Sequence, residues 1–221
     1  DRITRPEQII QSFPIAVQTM LDPADCGPAC ISLSQDIQGQ TFDYPAEFFQ
    51  EKVHTIRRPR PDEFQIKEAA DKIKSSKNPI IISGGGVFYS DAMEELSQFA
   101  IKHNIPVTQT VMGYSTMKRD HSHFAGQIGG LGGKNTNTLA KETDLAIAVG
   151  TKLADFTTGS WANFENENFK LVSINVSRYD ANKHLAQAVV GDAKVSLTEL
   201  SQALGDWKAG EDWNKKSQTE L

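Results

Sequence analysis

The hydrophobic positions between residues 62 and 206 alternate between short continuous runs and helical spacing. Residues 79–83 (Pro-Ile-Ile-Ile-Ser) and 145–149 (Leu-Ala-Ile-Ala-Val) are almost wholly apolar. Such runs are typical of strands that are buried on both faces of a parallel sheet. Between them the spacing becomes that of a helix with one apolar face, and the clearest example is the set Ile66, Ala69, Ala70 and Ile73.

The same alternation predicts the remaining elements of this region. Further strands are expected at residues 107–110, 171–176 and 188–190, and a helix near residues 137–143. Two more helices have start signals. Asp91-Ala92-Met93-Glu94 has the form of a capping box, and Asp192 is a candidate cap. Their predicted core-facing residues are Ala92, Leu96, Phe99 and Ala100 in the first helix and Leu197, Leu200 and Leu204 in the second. Repeated strand–helix–strand units with right-handed crossovers predict an α/β fold with a doubly wound, Rossmann-like parallel sheet of the type that binds NAD or FAD.

The first 61 residues have a different pattern. A helical pattern from Ile9 to Val17 is interrupted by Pro14, which predicts a kink or an end there, and residues 29–33 resemble a strand. One helix and one strand cannot form a core, so residues 1–40 are expected to be the remnant of a preceding domain. Residues 41–61 are broken by prolines and predict a linker. The predicted organisation is therefore remnant 1–40, linker 41–61, Rossmann-like domain 62–206 and a second linker 207–221.

Composition narrows the class of protein. The 221 residues carry a net charge of −5 with both signs interspersed, which argues against nucleic acid or an acidic membrane as a partner. No stretch is apolar for long enough to span a bilayer, and the first residues do not resemble a signal peptide. Cys26 and Cys30 have no second Cys or His pair nearby, so they do not predict zinc. Reduced cysteines and the lack of a signal predict a cytoplasmic protein.

Glycine-rich turns follow two of the predicted strands. In parallel sheets ligands bind beyond the carboxyl ends of the strands, and glycines allow backbone N–H groups to approach a phosphate. The candidate nucleotide-binding crevice comprises Gly84, Gly85, Gly86, Thr108, Gly150, Thr151, Lys152 and Asn175. The loop lacks the dinucleotide fingerprint, because Tyr89 occupies the third glycine position. A tight strand-to-helix turn without a ligand therefore stays open as the alternative.

The other motifs that could carry chemistry lack residues that the chemistry requires. Residues 129–135 resemble a phosphate loop, but Ile128 replaces its first glycine and Asn135 its Ser or Thr. His121 and His123 have no third ligand at a useful spacing, so loop packing is the favoured interpretation. His103 and His184 are predicted to be surface residues. No nucleophile lies beside a base, so we predict no catalytic residue and no metal ligand in this chain.

Several segments occur in an order that resembles a known family, the thiamine-diphosphate enzymes of the acetohydroxyacid synthase group, in their central domain. Residues 80–87 are similar to the opening strand and turn of that domain. The later segments, in order, are Ile105-Pro106-Val107, Met112-Gly113, Asp120-His121, Ala148-Val149-Gly150, Thr158-Gly159 and Val190-Gly191-Asp192-Ala193.

The first fifty residues also resemble this family. Residues 27–38 are similar to the last strand of its N-terminal, pyrimidine-binding domain. Arg5-Pro6-Glu7, residues 35–38 and residues 43–49 resemble more narrowly the trihydroxycyclohexanedione hydrolases, which open a cyclic 1,2-dione in myo-inositol breakdown.

The resemblance implies that most of the catalytic apparatus lies in other domains. The family's catalytic glutamate belongs to the N-terminal domain, and its Gly-Asp-Gly motif for magnesium and diphosphate belongs to a C-terminal domain. This sequence contains no Gly-Asp-Gly. The expectation is an inactive fragment without its own cofactor, whose partners are the missing N- and C-terminal domains. The parent enzyme would bind thiamine diphosphate and Mg²⁺ and would be a homo-oligomer, at least a dimer.

The resemblance leaves the central crevice open to three interpretations. Central domains of the family hold FAD in acetohydroxyacid synthases and ADP in oxalyl-CoA decarboxylases, and others hold nothing. Lys152 stands where the flavin-bearing synthases have arginine, and Asn175 and Ser177 stand where they have acids, which disfavours FAD here. The hypotheses are an empty interdomain scaffold, a module that retains FAD or ADP in an acetolactate synthase-like carboligase or decarboxylase, and a free-standing NAD-dependent enzyme of sirtuin-like fold.

Overall fold

The computed structural model describes residues 1–219. Internal contacts divide the chain into two compact units, one comprising Asp1–Arg57 and one that begins at Arg58. No helix among the described residues is both long enough and apolar enough to cross a membrane.

The first unit is small and has little regular structure. Strand β1 (Arg2–Ile3) pairs in parallel with β2 (Ser32–Leu33). The unit also contains helices α1 (Ile9–Leu21) and α2 (Gln35–Gln38). Short 3-10 helices occupy Pro6–Gln8 and Ala46–Phe49. Of the kink or end expected near Pro14, the end is wrong, because α1 continues to Leu21. The proline removes one bond from the ladder, and the residues after it keep their helical conformation.

Aromatic side chains order the segment that was predicted to be a linker. Tyr44 stacks on Phe48 with ring centroids 5.7 Å apart, and Phe42 meets Tyr44 edge-on at 5.1 Å. Phe48 in turn contacts Phe13 of α1 at 6.5 Å, and the Tyr44 hydroxyl donates to the carbonyl of Pro6. Residues 42–49 are therefore held against α1 by ring contacts.

The second unit is built on a six-stranded sheet in which every pairing is parallel. Its strands lie in the order β5-β4-β3-β6-β7-β8. Their bounds are β3 Pro79–Ser83, β4 Val107–Gln109, β5 Phe124–Gln127, β6 Leu145–Val149, β7 Lys170–Asn175 and β8 Gln187–Val190. The predicted α/β fold with a parallel sheet is confirmed, and β5 is the strand that the sequence pattern did not predict. The order of the strands reverses between β3 and β6, which makes this pair the topological switch point.

Helices cover both faces of the sheet. They are α3 Glu63–Lys74, α4 Gly85–Tyr89, α5 Met93–His103, α6 Lys134–Glu142, α7 Asp155–Thr158, α8 Arg178–Ala181, α9 Ala193–Leu204 and α10 Glu211–Thr219. In β3 the buried Ile81 joins one hydrophobic cluster, and Ile80 and Ile82 join a second cluster. This division follows from the alternation of side chains across a strand.

The predicted helix caps have mixed outcomes. Asp192 accepts bonds from the N–H groups of Lys194 and Val195 and caps α9 as expected. The predicted capping box at Asp91 is wrong. The short helix α4 ends just before it, and Asp91 turns the chain with a φ of +52°, so α5 begins only at Met93 without a side-chain cap. The Asp91 carboxylate instead pairs with Lys194 at 3.2 Å.

The residues after position 206 contribute to the core of the second unit. Helix α10 was not predicted from the sequence, and it places Trp213 within the second hydrophobic cluster. The Trp213 Nε1 donates to the carbonyl of Pro79 at 2.8 Å. That this segment also leads toward a further domain stays a prediction.

His103, which was predicted to lie on the surface, is fully buried at the end of α5. Its Nδ1 lies 2.7 Å from the carbonyl of Trp207, and its Nε2 lies 3.0 Å from the hydroxyl of Ser201. A neutral ring satisfies both contacts if Nδ1–H donates to the carbonyl and Nε2 accepts from the hydroxyl. Burial is the main cause that lowers the pKa of His103 below its usual value, and the bond to the carbonyl opposes it. The missed signal is that position 103 continues the apolar face of Leu96, Phe99 and Ala100.

This burial makes the stability of the chain depend on pH. Because the folded-state pKa of His103 lies below 6.5, its stabilisation is complete above pH 6.5 and is lost as the pH falls below that value. We expect the free energy of unfolding, measured by urea denaturation, to fall between pH 7 and pH 5. His103→Asn keeps an amide donor for the Trp207 carbonyl and removes the titration, so its slope should be smaller, by at most about 1.4 kcal/mol per pH unit for one proton. His123 titrates in the same direction, so some slope remains. Equal slopes in both proteins would contradict this account.

Candidate functional site

The switch point brings the two predicted glycine turns side by side. The loop after β3 begins with Gly84 and the loop after β6 begins with Gly150. The N–H of Gly84 donates to the carbonyl of Val149, and the N–H of Gly86 donates to the carbonyl of Gly150, both at 2.9 Å. The two glycine turns therefore lie side by side at the carboxyl ends of adjacent strands.

The two turns touch backbone to backbone. A Cβ added to Gly84 would lie 2.4 Å from the carbonyl oxygen of Gly150, and one added to Gly86 would lie 2.6 Å from the Cα of Gly150. Gly150 itself has a φ of +60°, a conformation that favours glycine. A third turn closes on the same place, because a Cβ on Gly113 would lie 2.1 Å from the carbonyl oxygen of Ser83. Direct packing of three loops therefore requires these glycines.

This packing uses two of the backbone donors that a phosphate would need. Phosphate binding at a helix N-terminus depends on backbone N–H groups that have no other acceptor. At the start of α4 the N–H groups of Gly84 and Gly86 are bonded across to the β6 side, and that of Val87 is bonded to the carbonyl of Gly84 at 3.1 Å. The crevice predicted at Gly84–Gly86 is thus filled by the neighbouring loop at its centre.

The other predicted crevice residues divide into two groups. Thr151 and Asn175 are brought together, since the Asn175 Nδ2 donates to the carbonyl of Thr151 at 3.2 Å. Thr108 and Lys152 do not join them: the Thr108 hydroxyl is buried in the sheet and donates to the carbonyl of Ile81 at 2.9 Å, and Lys152 is exposed. Gly85 differs from its neighbours, because an added Cβ would find only the carbonyl oxygen of Met112 within 3.4 Å.

A buried hydroxyl network behind the glycines was not predicted. The Ser83 hydroxyl donates to the carbonyl of Thr108 at 3.1 Å and lies 2.8 Å from the hydroxyl of Thr116. The Thr110 hydroxyl accepts from the N–H of Gly113 at 3.0 Å and closes the turn after β4. The available signal was the spacing Thr110-Val111-Met112-Gly113, which is typical of a hydroxyl-capped turn.

The histidine pair lies away from this edge of β3 and β6. His121 Nε2 lies 2.9 Å from the Ser97 hydroxyl, and His123 Nε2 lies 3.2 Å from Asn104 Oδ1. Burial, followed by the nearby His121, lowers the pKa of His123. Within residues 1–219, no group of three His, Cys, Asp or Glu side chains is arranged to hold a metal ion. His184 is exposed, as predicted.

The family of this chain follows from a match to a known family model. Residues 66–200 match the family model described as the central domain of thiamine pyrophosphate enzymes. The chain belongs to the thiamine pyrophosphate enzyme family. The match lies within the predicted Rossmann-like region, and it confirms the resemblance that was drawn from the glycine turns. It does not support the alternative of a free-standing enzyme of sirtuin-like fold.

Two curated relatives are similar to most of the chain. The chain is 44% identical over 204 residues to 3D-(3,5/4)-trihydroxycyclohexane-1,2-dione hydrolase of Clostridium perfringens, and 44% identical over 204 residues to a hydrolase of the same name, numbered 1, of Bacillus cereus. In each case 92% of this chain is aligned with 32% of the relative, so the chain spans about a third of the length of these curated relatives.

A solved structure shows the same fold. An X-ray structure from Mycobacterium smegmatis, described as a thiamin diphosphate-dependent enzyme, superposes with a TM-score of 0.72 at 21% identity. The superposition covers 94% of this chain and 39% of that protein.

The residues of this central domain do not fit the cofactors of the family. Mg²⁺ with a diphosphate requires a set of carboxylate and amide oxygens, and the described part of the chain gathers no group of acidic or histidine side chains that could hold the ion. The phosphates of FAD or ADP would need free backbone N–H groups at the switch point. The N–H groups of Gly84 and Gly86 already donate to carbonyl groups of Val149 and Gly150.

Proposed function

We propose that this chain is the central domain of a trihydroxycyclohexanedione hydrolase, an enzyme that opens a cyclic 1,2-dione during myo-inositol breakdown. The observation that carries the proposal is the 44% identity over 204 residues to a hydrolase of that name. Within the whole enzyme, thiamine diphosphate and Mg²⁺ would be bound by the N- and C-terminal domains, in a homo-oligomer that is at least a dimer. The two exposed, free cysteines, Cys26 and Cys30, support a reducing cytoplasmic location.

The role that we propose for this domain is a scaffold without catalytic residues. The closed backbone packing among Gly84, Gly86, Gly113 and Gly150 supports it, because such a contact fixes three strand ends and leaves little room for a phosphate. A second candidate is a central domain that retains FAD or ADP. Its support is Gly85, which lies in the first turn of α4 at the switch point and has more open space than its neighbours.

A domain exchange tests the proposed function. The homologous segment of the Clostridium perfringens hydrolase is replaced by this chain, and ring opening of its named dione is measured with thiamine diphosphate and Mg²⁺. We expect turnover within about tenfold of the parent enzyme, because aligned relatives at this identity retain the same core packing. The control chimera carries the corresponding Bacillus cereus segment. If the control is active, and the test chimera is folded and binds thiamine diphosphate but does not open the dione, the proposal fails.

A further inference from the structure

A cavity lies at the amino ends of the strands, on the opposite side of the sheet from the glycine turns at the carboxyl ends. It has a volume of about 420 Å³ and opens beside the amino end of β7, with Lys170 and Leu171 in its wall. Small-molecule sites in proteins commonly have volumes of ~300–1,000 Å³. None of the residues predicted from the sequence to bind a cofactor lines this cavity.

An aromatic wall forms one side of the cavity. The rings of Trp161 and His184 have centroids 4.3 Å apart, and Trp161 lies 5.4 Å from Phe164. Phe164 stacks on Phe169 at 4.5 Å, and Trp161, Phe164 and Phe169 pack against the second hydrophobic cluster. This support fixes the positions of the rings that face the cavity, which are those of Trp161, Phe169 and His184. A rigid aromatic face favours a planar ligand.

Both sides of the cavity contain unusual backbone conformations. Ser160 and Trp161 have φ angles of +53° and +70°, and His184 and Leu185 have +60° and +56°. Bulky residues such as Trp and Leu rarely adopt positive φ. Residues in such conformations cluster at ligand clamps and active sites, where the surrounding structure holds them. Here they place the Trp161 and His184 rings against each other.

Two cationic side chains complete the lining. Lys72 comes from the last turn of α3 and Lys170 from the start of β7. Among residues 1–219, neither ammonium group has an ion pair or a hydrogen bond to a side chain. Glu68, one turn before Lys72, accepts a bond from Gln187 Nε2 at 2.9 Å instead. Two unpaired cations beside an apolar wall attract an anion.

We propose that this cavity binds a planar aromatic or heteroaromatic anion, with its ring against Trp161 and its carboxylate or phosphate at Lys72 and Lys170. The aromatic wall indicates a planar ring, and the two cations indicate a negative charge on the ligand. The unusual backbone conformations are independent support for a binding site at this place. The proposal goes beyond the assignment of the chain to a hydrolase, and neither depends on the other.

The test uses the complete 221-residue chain with 2-naphthoate as the anionic probe and 2-naphthamide as its neutral counterpart. Isothermal titration calorimetry should show saturable binding of one naphthoate per chain, with naphthamide at least about fivefold weaker, because only the anion engages the two ammonium groups. Absence of saturable naphthoate binding, or equal affinities for both probes, would overturn the proposal.

Variants locate the binding. Lys72→Met together with Lys170→Met keeps the aliphatic stems of both side chains. The double variant should weaken naphthoate binding about tenfold, because it removes two solvent-exposed charge contacts to the carboxylate. Lys67→Met removes an exposed lysine from the same helix and should change affinity less than twofold. Trp161→Gly suits the positive φ and removes the ring, so it should abolish binding. Because Trp161 also packs against the second hydrophobic cluster, circular dichroism of this variant first checks that the chain is folded.

Two outcomes of the variant series contradict the site. Unchanged naphthoate affinity in both the lysine double variant and Trp161→Gly would place the ligand elsewhere. If the chain instead self-associates in sedimentation velocity, and the lysine double variant is monomeric while naphthoate has no effect, the cavity is a protein interface and the proposal is wrong.

Discussion

Gly84→Ala is expected to lower the free energy of unfolding by about 3 kcal/mol or more. The added Cβ would lie 2.4 Å from the carbonyl oxygen of Gly150 and 2.6 Å from the Cβ of Thr151. Backbone cannot move aside as a flexible side chain can, so the loops after β3 and β6 must separate. That separation breaks the hydrogen bonds from Gly84 to Val149 and from Gly86 to Gly150. Urea denaturation followed by circular dichroism measures the change.

The neighbouring residue supplies the matched control. A Cβ on Gly85 would lie 3.1 Å from the carbonyl oxygen of Met112, and alanine in the first turn of α4 gains helix propensity. Gly85→Ala should therefore change the free energy of unfolding by less than about 1 kcal/mol. A loop kept open for a phosphate would make no such distinction between the two glycines. Equal and small effects at both positions would contradict the closed packing.

Trp213→Ala is expected to destabilise the chain by about 3–5 kcal/mol. The side chain is 6% exposed, fills the second hydrophobic cluster and anchors α10 to the sheet through the bond from Nε1 to the carbonyl of Pro79. Its loss leaves a large cavity beneath a short helix that has few other buried residues. The measurement is the midpoint and slope of guanidinium unfolding.

Trp213→Phe separates packing from hydrogen bonding. Phenylalanine keeps an aromatic ring in the cluster and loses the donor to Pro79, so a cost of about 1–2 kcal/mol is expected. If the alanine and phenylalanine variants are both within 0.5 kcal/mol of wild type, a change of about the size seen for surface substitutions, then α10 does not pack as described.

The sequence was most informative where local pattern and tertiary contact agree. The continuous apolar runs of β3 and β6 match the structure residue for residue, because strands buried on both faces need apolar side chains throughout. Asp192 was found as a cap because its side chain bonds within its own first turn. Strand β5 was missed because Phe124–Gln127 is short and contains Gly126, so its strand character comes from pairing with β4.

The candidate site illustrates what a sequence pattern leaves undetermined. The sequence located the glycines after β3 and β6. What these glycines do depends on how closely the loops after the two strands approach each other. Whether Gly84 faces a phosphate or the carbonyl of Gly150 is decided by contacts between residues 66 positions apart in the chain. The cavity at Trp161 and His184 was missed for the same reason, since its walls come from separate crossovers and depend on positive φ angles that these residue types do not suggest. The buried contacts of His103 arise from Trp207 and Ser201, which lie 104 and 98 positions away in the sequence.

The most direct test of the closed switch point is an amide NMR titration of the ¹⁵N-labelled chain with FAD, ADP and thiamine diphosphate plus Mg²⁺. The amide signals of Gly84, Gly85 and Gly86 report on the donors that a phosphate would engage. The packing of these turns against Gly150 predicts that the Gly84 and Gly86 signals stay in place at millimolar ligand, even if residues near Lys72 and Lys170 respond to ADP. Saturable shifts of Gly84 and Gly86 with FAD or ADP would show that the turns open to hold a nucleotide, and would contradict the assignment of this domain as a closed scaffold.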